Sequence, residues 1–166
     1  MAVTVSKTIL NLISDNNLTI DLAGHTLNAV NFNVDFIYSY SSKYYDKGIL
    51  TLKDSSGTNE GKIITQRNLY FIAANMDNFA QEKRYGLVID GGTYILTSSS
   101  SYSYLFGIFT NSYYTKGNNV TVDVTIKDGI FESTYGNQSI FSTLSPKSSD
   151  IKINFLIESM TLKGKN

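Results

Sequence analysis

A four-residue strand motif recurs five times along the chain and constrains the fold more than any other sequence feature. Its copies begin 32, 37, 37 and 31 positions apart. They are Leu18-Thr19-Ile20-Asp21, Leu50-Thr51-Leu52-Lys53, Leu87-Val88-Ile89-Asp90, Val124-Thr125-Ile126-Lys127 and Phe155-Leu156-Ile157-Glu158. In each copy the first and third residues are large and apolar and the fourth is charged, so alternate side chains face opposite sides of a strand. A motif repeated at this spacing is typical of a solenoid or a propeller.

Further apolar stretches follow the motif. The second stretch occurs in all five repeats, as residues 25–27, 62–64, 93–96, 129–131 and 160–162, and the third occurs in four, as residues 36–40, 69–72, 104–109 and 139–142. Three short strands per repeat predict one coil of a parallel β-helix, in which each strand pairs with its equivalent in the next coil. We therefore predict an all-β solenoid of about five coils.

Other all-β folds fit the sequence less well. A β-sandwich also has many short alternating strands, but its turn signals come every 8–12 residues or so, without a recurring motif. A propeller needs roughly 40 residues and four antiparallel strands per blade, with tight hairpins that the sequence lacks. A left-handed hexapeptide solenoid needs a strict six-residue apolar period, which is absent.

The fourth position of the motif alternates in charge, as Asp21, Lys53, Asp90, Lys127 and Glu158. If equivalent strands pair in register, each neighbouring pair in this column brings opposite charges together. Such pairs contribute about 0.2–1 kcal/mol each. The alternation therefore predicts this register. It also indicates that the acidic residues of the column pair with lysines and are not catalytic.

We expect a single domain over residues 1–166, with an N-terminal cap at 1–17 and coils at 18–166. Residues 6–14 are predicted to form a short helix that covers the first coil, with Ser6 as the N-cap. The C-terminal residues resemble no cap, so we expect that the chain was taken from a longer protein. An open end would also allow copies of the chain to associate.

Composition excludes several functions. The formal net charge is zero, which argues against nucleic-acid and anionic-membrane partners. The chain has no cysteine, so a disulfide framework and a thiolate metal site are excluded. No run approaches the roughly 18 apolar residues of a membrane span, and no phosphate-binding glycine motif occurs. We expect no metal, no cofactor and no insertion into a membrane.

Two carboxylates are weak catalytic candidates. Asp54 and Asp128 each follow a motif lysine, one step further along the repeat, but both stand in ordinary turn sequences. The lone histidine, His25, lacks a partner carboxylate or serine at a recognisable spacing. Only Arg67 and Arg84 could neutralise a uronide, and neither lies in a recognisable motif.

Tyrosine-rich, serine-rich segments are the best candidates for ligand binding, because aromatic rings stack on sugars while hydroxyl groups supply adaptable hydrogen bonds. The candidate residues are Tyr38, Tyr40, Tyr44, Tyr45, Tyr102, Tyr104, Tyr113 and Tyr114. The alternative is that tyrosine is simply common on β-sheet surfaces. The expected partner is a polysaccharide or a cell-surface glycan.

Residues 17–27 and 48–57 resemble the opening coils of the pectate-lyase-like right-handed β-helix superfamily, as found in bacterial surface proteins and phage tail spikes. The resemblance extends over essentially the whole chain and implies a right-handed β-helix with an extracellular, cell-surface or virion location. It does not imply one activity, since that superfamily holds lyases, hydrolases, adhesins and inert stalks. The Asn-Thr-Asp, Asp-Asp and Gly-His-Gly motifs of polygalacturonases are missing here, as is the arginine-rich motif of pectate lyases.

The sequence thus favours a non-catalytic β-helix module that forms a stalk or binds glycan. The alternative is a carbohydrate-active enzyme, either a polysaccharide lyase or a glycoside hydrolase, or an incomplete fragment of one. An ice-binding solenoid would need an unbroken threonine array. Here Val88 and Leu156 interrupt Thr19, Thr51 and Thr125.

Overall fold

The protein is described by a computed structural model that covers residues 3–4, 17–30, 34–39, 47–67, 69–74, 83–100, 103–109, 120–135, 138–142 and 151–164. Within these ranges every regular element is a β-strand and none is a helix. The strands are β1 (Val3–Thr4), β2 (Leu18–Asp21), β3 (Thr26–Ala29), β4 (Val34–Ser39), β5 (Lys47–Lys53), β6 (Lys62–Thr65), β7 (Leu69–Ala74), β8 (Lys83–Leu96), β9 (Tyr104–Phe109), β10 (Val120–Ser133), β11 (Ser139–Ser142), β12 (Ile151–Ile157) and β13 (Thr161–Lys163). The predicted capping helix at 6–14 lies outside the described residues.

All the strand pairs are parallel, and they form three ladders. The first ladder runs β2-β5-β8-β10-β12, the second β1-β3-β6-β8-β10-β13 and the third β4-β7-β9-β11. Strands β8 and β10, of 14 residues each, belong to both the first and the second ladder and join them into one nine-stranded sheet. The all-β, parallel part of the prediction is confirmed.

The recurring motif pairs in the predicted register. In the first ladder Leu18 lies opposite Leu50, Leu50 opposite Leu87, Leu87 opposite Val124, and Val124 opposite Phe155. The third residues of the motif pair in the same way. Period-2 alternation fixes this register, because a slip of one residue would turn every core side chain towards solvent.

The charged column follows the predicted register in its first two contacts only, and the pairing of β10 with β12 ends at Ile126 and Ile157, before Lys127 and Glu158. Lys53 lies opposite both Asp21 and Asp90, but Asp90 pairs with Asp128 instead of Lys127. Paired residues of β8 and β10 are 37 positions apart in sequence up to the pair Ile89 and Ile126. They are 38 apart at Asp90 and Asp128 and 37 apart again from Thr93 onward, which marks a local irregularity of the ladder. Strict alternation through this step was therefore a wrong prediction.

Two of the four expected ion pairs form among the described residues. Lys53 Nζ lies 3.2 Å from Asp21 Oδ2, and Lys127 Nζ reaches past the irregular step to lie 3.4 Å from Asp90 Oδ2. All four side chains are about one-third to one-half exposed, so water screens both pairs and each contributes little to stability. The charges help to align neighbouring repeats, but the burial of the apolar positions dominates.

The core lies between the three ladders. The first ladder supplies Leu52, Ile89 and Ile126, the second Ile63, Tyr94 and Phe131, and the third Leu69 and Phe106, all fully buried. The ring of Tyr94 stacks on Phe131 at 5.4 Å between centroids and meets Phe106 edge-on at 5.5 Å. Such pairs add about 0.5–1.5 kcal/mol each beyond the area that they bury.

Buried hydroxyl groups hold the bends that follow the strands of the second ladder. We call this region the second corner and define it as residues 65–67 and 133–135. Thr65 Oγ1 donates to the carbonyl of Arg67 and accepts from its N–H, and Ser133 Oγ makes the same two bonds with Tyr135. A hydroxyl that bonds the backbone two residues on stabilises a turn. These side chains therefore end their strands in the same way, two repeats apart.

Candidate functional site

Acidic side chains collect where the chain passes from the first ladder to the second, at the ends of β2 and β5 and inside β8 and β10. We call this region the first corner and define it as residues 21–25, 54–61, 90–92 and 128–129. It holds both catalytic candidates, Asp54 and Asp128, together with Asp21 and Asp90. Parallel pairing brings them together, because equivalent positions of neighbouring strands lie side by side.

Asp54 is the most enclosed of these carboxylates, with 8% of its surface exposed. Its Oδ1 accepts hydrogen bonds from the N–H groups of Gly24 at 2.8 Å and Ser56 at 3.2 Å. Its Oδ2 accepts from Ser56 Oγ at 2.7 Å and from the N–H of Gly61 at 2.8 Å. Four donors from two repeats therefore occupy a group that has about four acceptor positions.

This environment keeps Asp54 ionised. Burial acts to raise the pKa of the carboxyl group, but the hydrogen bonds from Ser56, Gly61 and Gly24 outweigh burial and hold the pKa below its usual value. A general acid or base needs a pKa near the working pH and an oxygen within reach of the substrate. Asp54 has a lowered pKa, and its oxygens face backbone amides.

Gly61 allows this close packing. A Cβ at this position would lie 2.5 Å from Leu22 Cβ and 2.7 Å from Asp54 Cγ, both closer than carbon atoms can approach. The absence of a side chain thus lets the Gly61 N–H approach Asp54 Oδ2. The hydrogen bonding of Asp54 therefore depends on a glycine at position 61.

Asp21 makes a similar link one repeat earlier. Its Oδ1 accepts from the N–H of Ala23 and from that of Ser55 in the next repeat, both at 3.0 Å. The Ser55 N–H is the main cause that lowers the pKa of Asp21 to about 2, with further help from Lys53 and Ala23. Asp21 reaches forward to the second repeat, while Asp54 reaches back to the first.

Asn59 connects the second repeat to the two that follow, and the sequence analysis missed it. Its Oδ1 accepts from the N–H of Gly92 at 2.6 Å, and its Nδ2 donates to Asp128 Oδ2 at 3.1 Å. Its carbonyl accepts from Thr93 Oγ1 at 2.8 Å. The backbone φ of Asn59 is +56°, a left-handed conformation that asparagine tolerates better than most residues. The only sequence signal was an asparagine in a turn-like segment.

The first corner therefore uses its polar groups to join repeats. Asp128 is bonded to Asn59 and partly buried, and Asp90 is bonded to Lys127. The described residues contain no group of three or more acidic, histidine or cysteine side chains placed to hold a metal ion. Every buried side-chain nitrogen or oxygen in the described part of the chain has a hydrogen-bond partner.

The two arginines lie in structural contacts away from this corner. Arg84 Nε lies 2.7 Å from Asp123 Oδ2 on the neighbouring strand, and Asn154 Nδ2 donates to the other oxygen of Asp123 at 2.9 Å. These bonds, from Asn154 first and then Arg84, lower the pKa of Asp123. Arg67 belongs to the Thr65 turn of the second corner. His25 follows the bend after Asp21, and its backbone N–H donates to the Leu22 carbonyl at 2.7 Å.

Most of the tyrosine candidates lie outside the part of the chain that the structure describes. These are Tyr40, Tyr44, Tyr45, Tyr102, Tyr113 and Tyr114; Tyr38 lies in β4, where only the backbone is described. Tyr104 begins β9 and is 8% exposed. A side chain so enclosed presents little ring surface on which a sugar could stack. Glycan binding by the tyrosine candidates stays a prediction.

The chain matches no family model, no curated protein and no solved structure. The resemblance to the pectate-lyase-like superfamily consequently stays a prediction from the motifs. No helix in the described residues is long and apolar enough to cross a bilayer.

Proposed function

We propose that this protein is a right-handed parallel β-helix that serves as a non-catalytic structural module, a stalk segment of a secreted, cell-surface or phage-borne protein. Three parallel ladders around one core support the β-helix. The handedness follows from the rule that parallel crossovers in one sheet are right-handed in about 98% of cases. The proposed secreted, cell-surface or phage-borne location is supported by the superfamily resemblance alone.

One observation supports the structural role most directly. The Asp54 carboxylate, one of the two catalytic candidates, accepts four hydrogen bonds from Gly24, Ser56 and Gly61. A group held in this way stabilises the junction between two repeats. A carbohydrate-active enzyme is the alternative. Against it, Asp128 accepts a hydrogen bond from Asn59 and Asp90 is paired with Lys127, so these two carboxylates also have partners within the chain.

Substitution of Asp54 by asparagine distinguishes the two roles by the sign of the stability change. The introduced amide side chain would present an NH2 group to at least one donor, and it would lack the charge that strengthens the remaining bonds. We expect the Asp54→Asn variant to lose about 2–4 kcal/mol of unfolding free energy, or roughly 6–12 °C in Tm for a domain of this size. An active-site carboxylate commonly behaves in the opposite way, because its removal relieves strain at the cost of activity.

The matched control is Asp90→Asn, since Asp90 is half-exposed and paired with Lys127. This control should lose less than about 1 kcal/mol. Both variants and the unmodified chain should be incubated with a panel of polysaccharides that includes polygalacturonate, and reducing ends should be measured. The structural role would be refuted if the unmodified chain released reducing ends, the Asp54→Asn variant did not, and the Tm of that variant were unchanged or raised.

A further inference from the structure

The connection between β5 and β6 is longer than its counterparts in the other repeats. Residues 54–61 lie between these two strands, whereas residues 22–25 separate β2 from β3 and residues 158–160 separate β12 from β13. The third and fourth repeats turn inside the continuous strands β8 and β10. We call residues 55–60 the strap. Its residues are exposed except Asn59, which is partly buried, so Asn59 is the strap residue that packs against the following repeats.

The strap crosses the third repeat to reach the fourth. Asn59 Oδ1 accepts from the N–H of Gly92 at 2.6 Å, and the Asn59 carbonyl accepts from Thr93 Oγ1 at 2.8 Å, so both bonds end in the third repeat. Asn59 Nδ2 donates to Asp128 Oδ2 at 3.1 Å, 69 positions along the chain and in the fourth repeat. By contrast, the side-chain bonds between adjacent repeats join residues 30–40 positions apart.

Gly91 leaves room for this crossing. A Cβ at this position would lie 3.0 Å from Asn59 Oδ1 and 3.4 Å from the carbonyl oxygen of Asp54. The φ of Gly91 is +91°, a conformation that side chains rarely adopt. The Asn59 side chain therefore lies directly against the backbone of the third repeat, where that repeat bends.

A link across two repeats changes how a solenoid unfolds. In a solenoid each repeat contacts only its neighbours, so a group of repeats can open while the rest stays folded. Opening of the second repeat in this chain would separate β5 and β6 from β8 and would also break the three bonds of Asn59. It would take from the partly buried Asp128 its asparagine donor, and leaving such a group unsatisfied adds to the cost of opening.

We infer that the strap makes the second, third and fourth repeats open as one cooperative unit. The bond from Asn59 to Asp128 is the contact that couples the second repeat to the fourth. This conformational role goes beyond the proposed stalk function and does not depend on it, because it concerns the unfolding of the chain itself. It also goes beyond a contribution to stability, because it specifies which strands open together.

Amide hydrogen exchange of the intact chain in increasing, sub-denaturing urea tests the coupling. In the unmodified chain the amides of β5, β6 and β10 should share one urea dependence, because they exchange through the same opening. The variant Asn59→Asp keeps an acceptor for the Gly92 N–H and tolerates the left-handed backbone, but it turns an ionised oxygen towards Asp128 in place of a donor. We expect the β5 and β6 amides of this variant to exchange at least about tenfold faster relative to those of β10.

Two further variants serve as controls. The pair Asn59→Asp with Asp128→Asn exchanges donor and acceptor, so it should restore the ratio of exchange rates to within about threefold of the unmodified chain. Thr58→Gly loosens the strap at an exposed residue whose side chain contacts only Ser56 among the described residues, and it should leave the ratio within about threefold. Circular dichroism shows whether each variant folds, and Asn59→Gly takes the place of Asn59→Asp if the latter does not.

Three results would overturn the inference. The first is that β5 and β10 of the unmodified chain exchange through different openings. The second is that Asn59→Asp leaves exchange unchanged or accelerates it equally in β5, β6 and β10, which would mean that the bond to Asp128 does not couple the repeats. The third is that the paired substitution leaves β5 and β6 exchanging as fast as in Asn59→Asp alone, which would assign the effect to a cause other than this bond.

Discussion

Replacement of Gly61 by alanine is the sharpest test of the first corner. The added methyl group would lie 2.5 Å from Leu22 Cβ and 2.7–2.8 Å from Asp54 Cγ and Oδ1. Leu22 Cβ is attached directly to the backbone, so it cannot rotate away. The strand end must move, and this movement lengthens the bond from the Gly61 N–H to Asp54 Oδ2.

The expected cost combines two effects. Overpacking a rigid site costs about 1–3 kcal/mol, and weakening one hydrogen bond to a buried carboxylate costs about 1.5–3 kcal/mol. The effects overlap, because the movement that relieves the clash also breaks the bond. We therefore expect a loss of about 3–5 kcal/mol, which corresponds to a fall in Tm of roughly 9–15 °C for a chain of this length.

Urea unfolding followed by circular dichroism measures this loss. Gly164→Ala is the matched control, because no atom lies within 4 Å of a Cβ at that position; it should change the unfolding free energy by less than about 0.5 kcal/mol. If Gly61→Ala is within about 1 kcal/mol of the unmodified chain, the size of a typical point-mutant effect, the packing of Leu22, Asp54 and Gly61 described here is incorrect.

Three further predictions concern the first corner and the ion pair between Lys127 and Asp90 beside it. Because hydrogen bonds hold the folded pKa of Asp21 at about 2, below its usual 3.8, its contribution to stability is complete above about pH 5 and disappears as the pH falls towards 2; the drop in Tm over this range should be smaller in Asp21→Asn. Asn59→Gly retains the left-handed backbone but removes the bonds to Gly92 and Asp128, and should cost about 2 kcal/mol in urea unfolding; no loss would contradict the cross-repeat role. Lys127→Ala should cost at most about 1 kcal/mol, and the loss should shrink in high salt; a larger or salt-independent loss would show that this lysine does more than pair with a surface carboxylate.

The register of the first ladder could be predicted from the sequence because its cause is local and repeated. Each motif carries apolar residues at its first and third positions, and only one alignment buries them all. The irregular step at Asp90 could not be predicted in this way. It lies where Gly91 and Gly92 of β8 both have left-handed φ while the opposing Gly129 of β10 has a φ of +155°.

The candidate site was harder to predict because its partners are distant in sequence. Asn59 bonds residues 33 and 69 positions away, and Asp54 accepts from Gly24, 30 positions away. A turn at Ser55 and Ser56 follows Asp54, as the sequence predicts, whereas Asp128 lies inside β10 and not in the predicted turn. The sequence did not indicate that four donors would surround Asp54. The spacing of acidic residues alone resembles both a catalytic set and a structural one.

The hydrogen-bonding needs of the backbone explain why acidic residues recur at the first corner. Where a strand ends and the chain bends, N–H groups leave the ladder and need another acceptor. A carboxylate can accept about four hydrogen bonds, whereas a hydroxyl or an amide oxygen accepts about two. Asp54 meets the N–H groups of Gly24, Ser56 and Gly61, and Asp21 meets two more. Because each aspartate binds amides of two repeats, its ionisation couples those repeats, so we expect acid to loosen the first corner before the second, which is held by neutral hydroxyl groups.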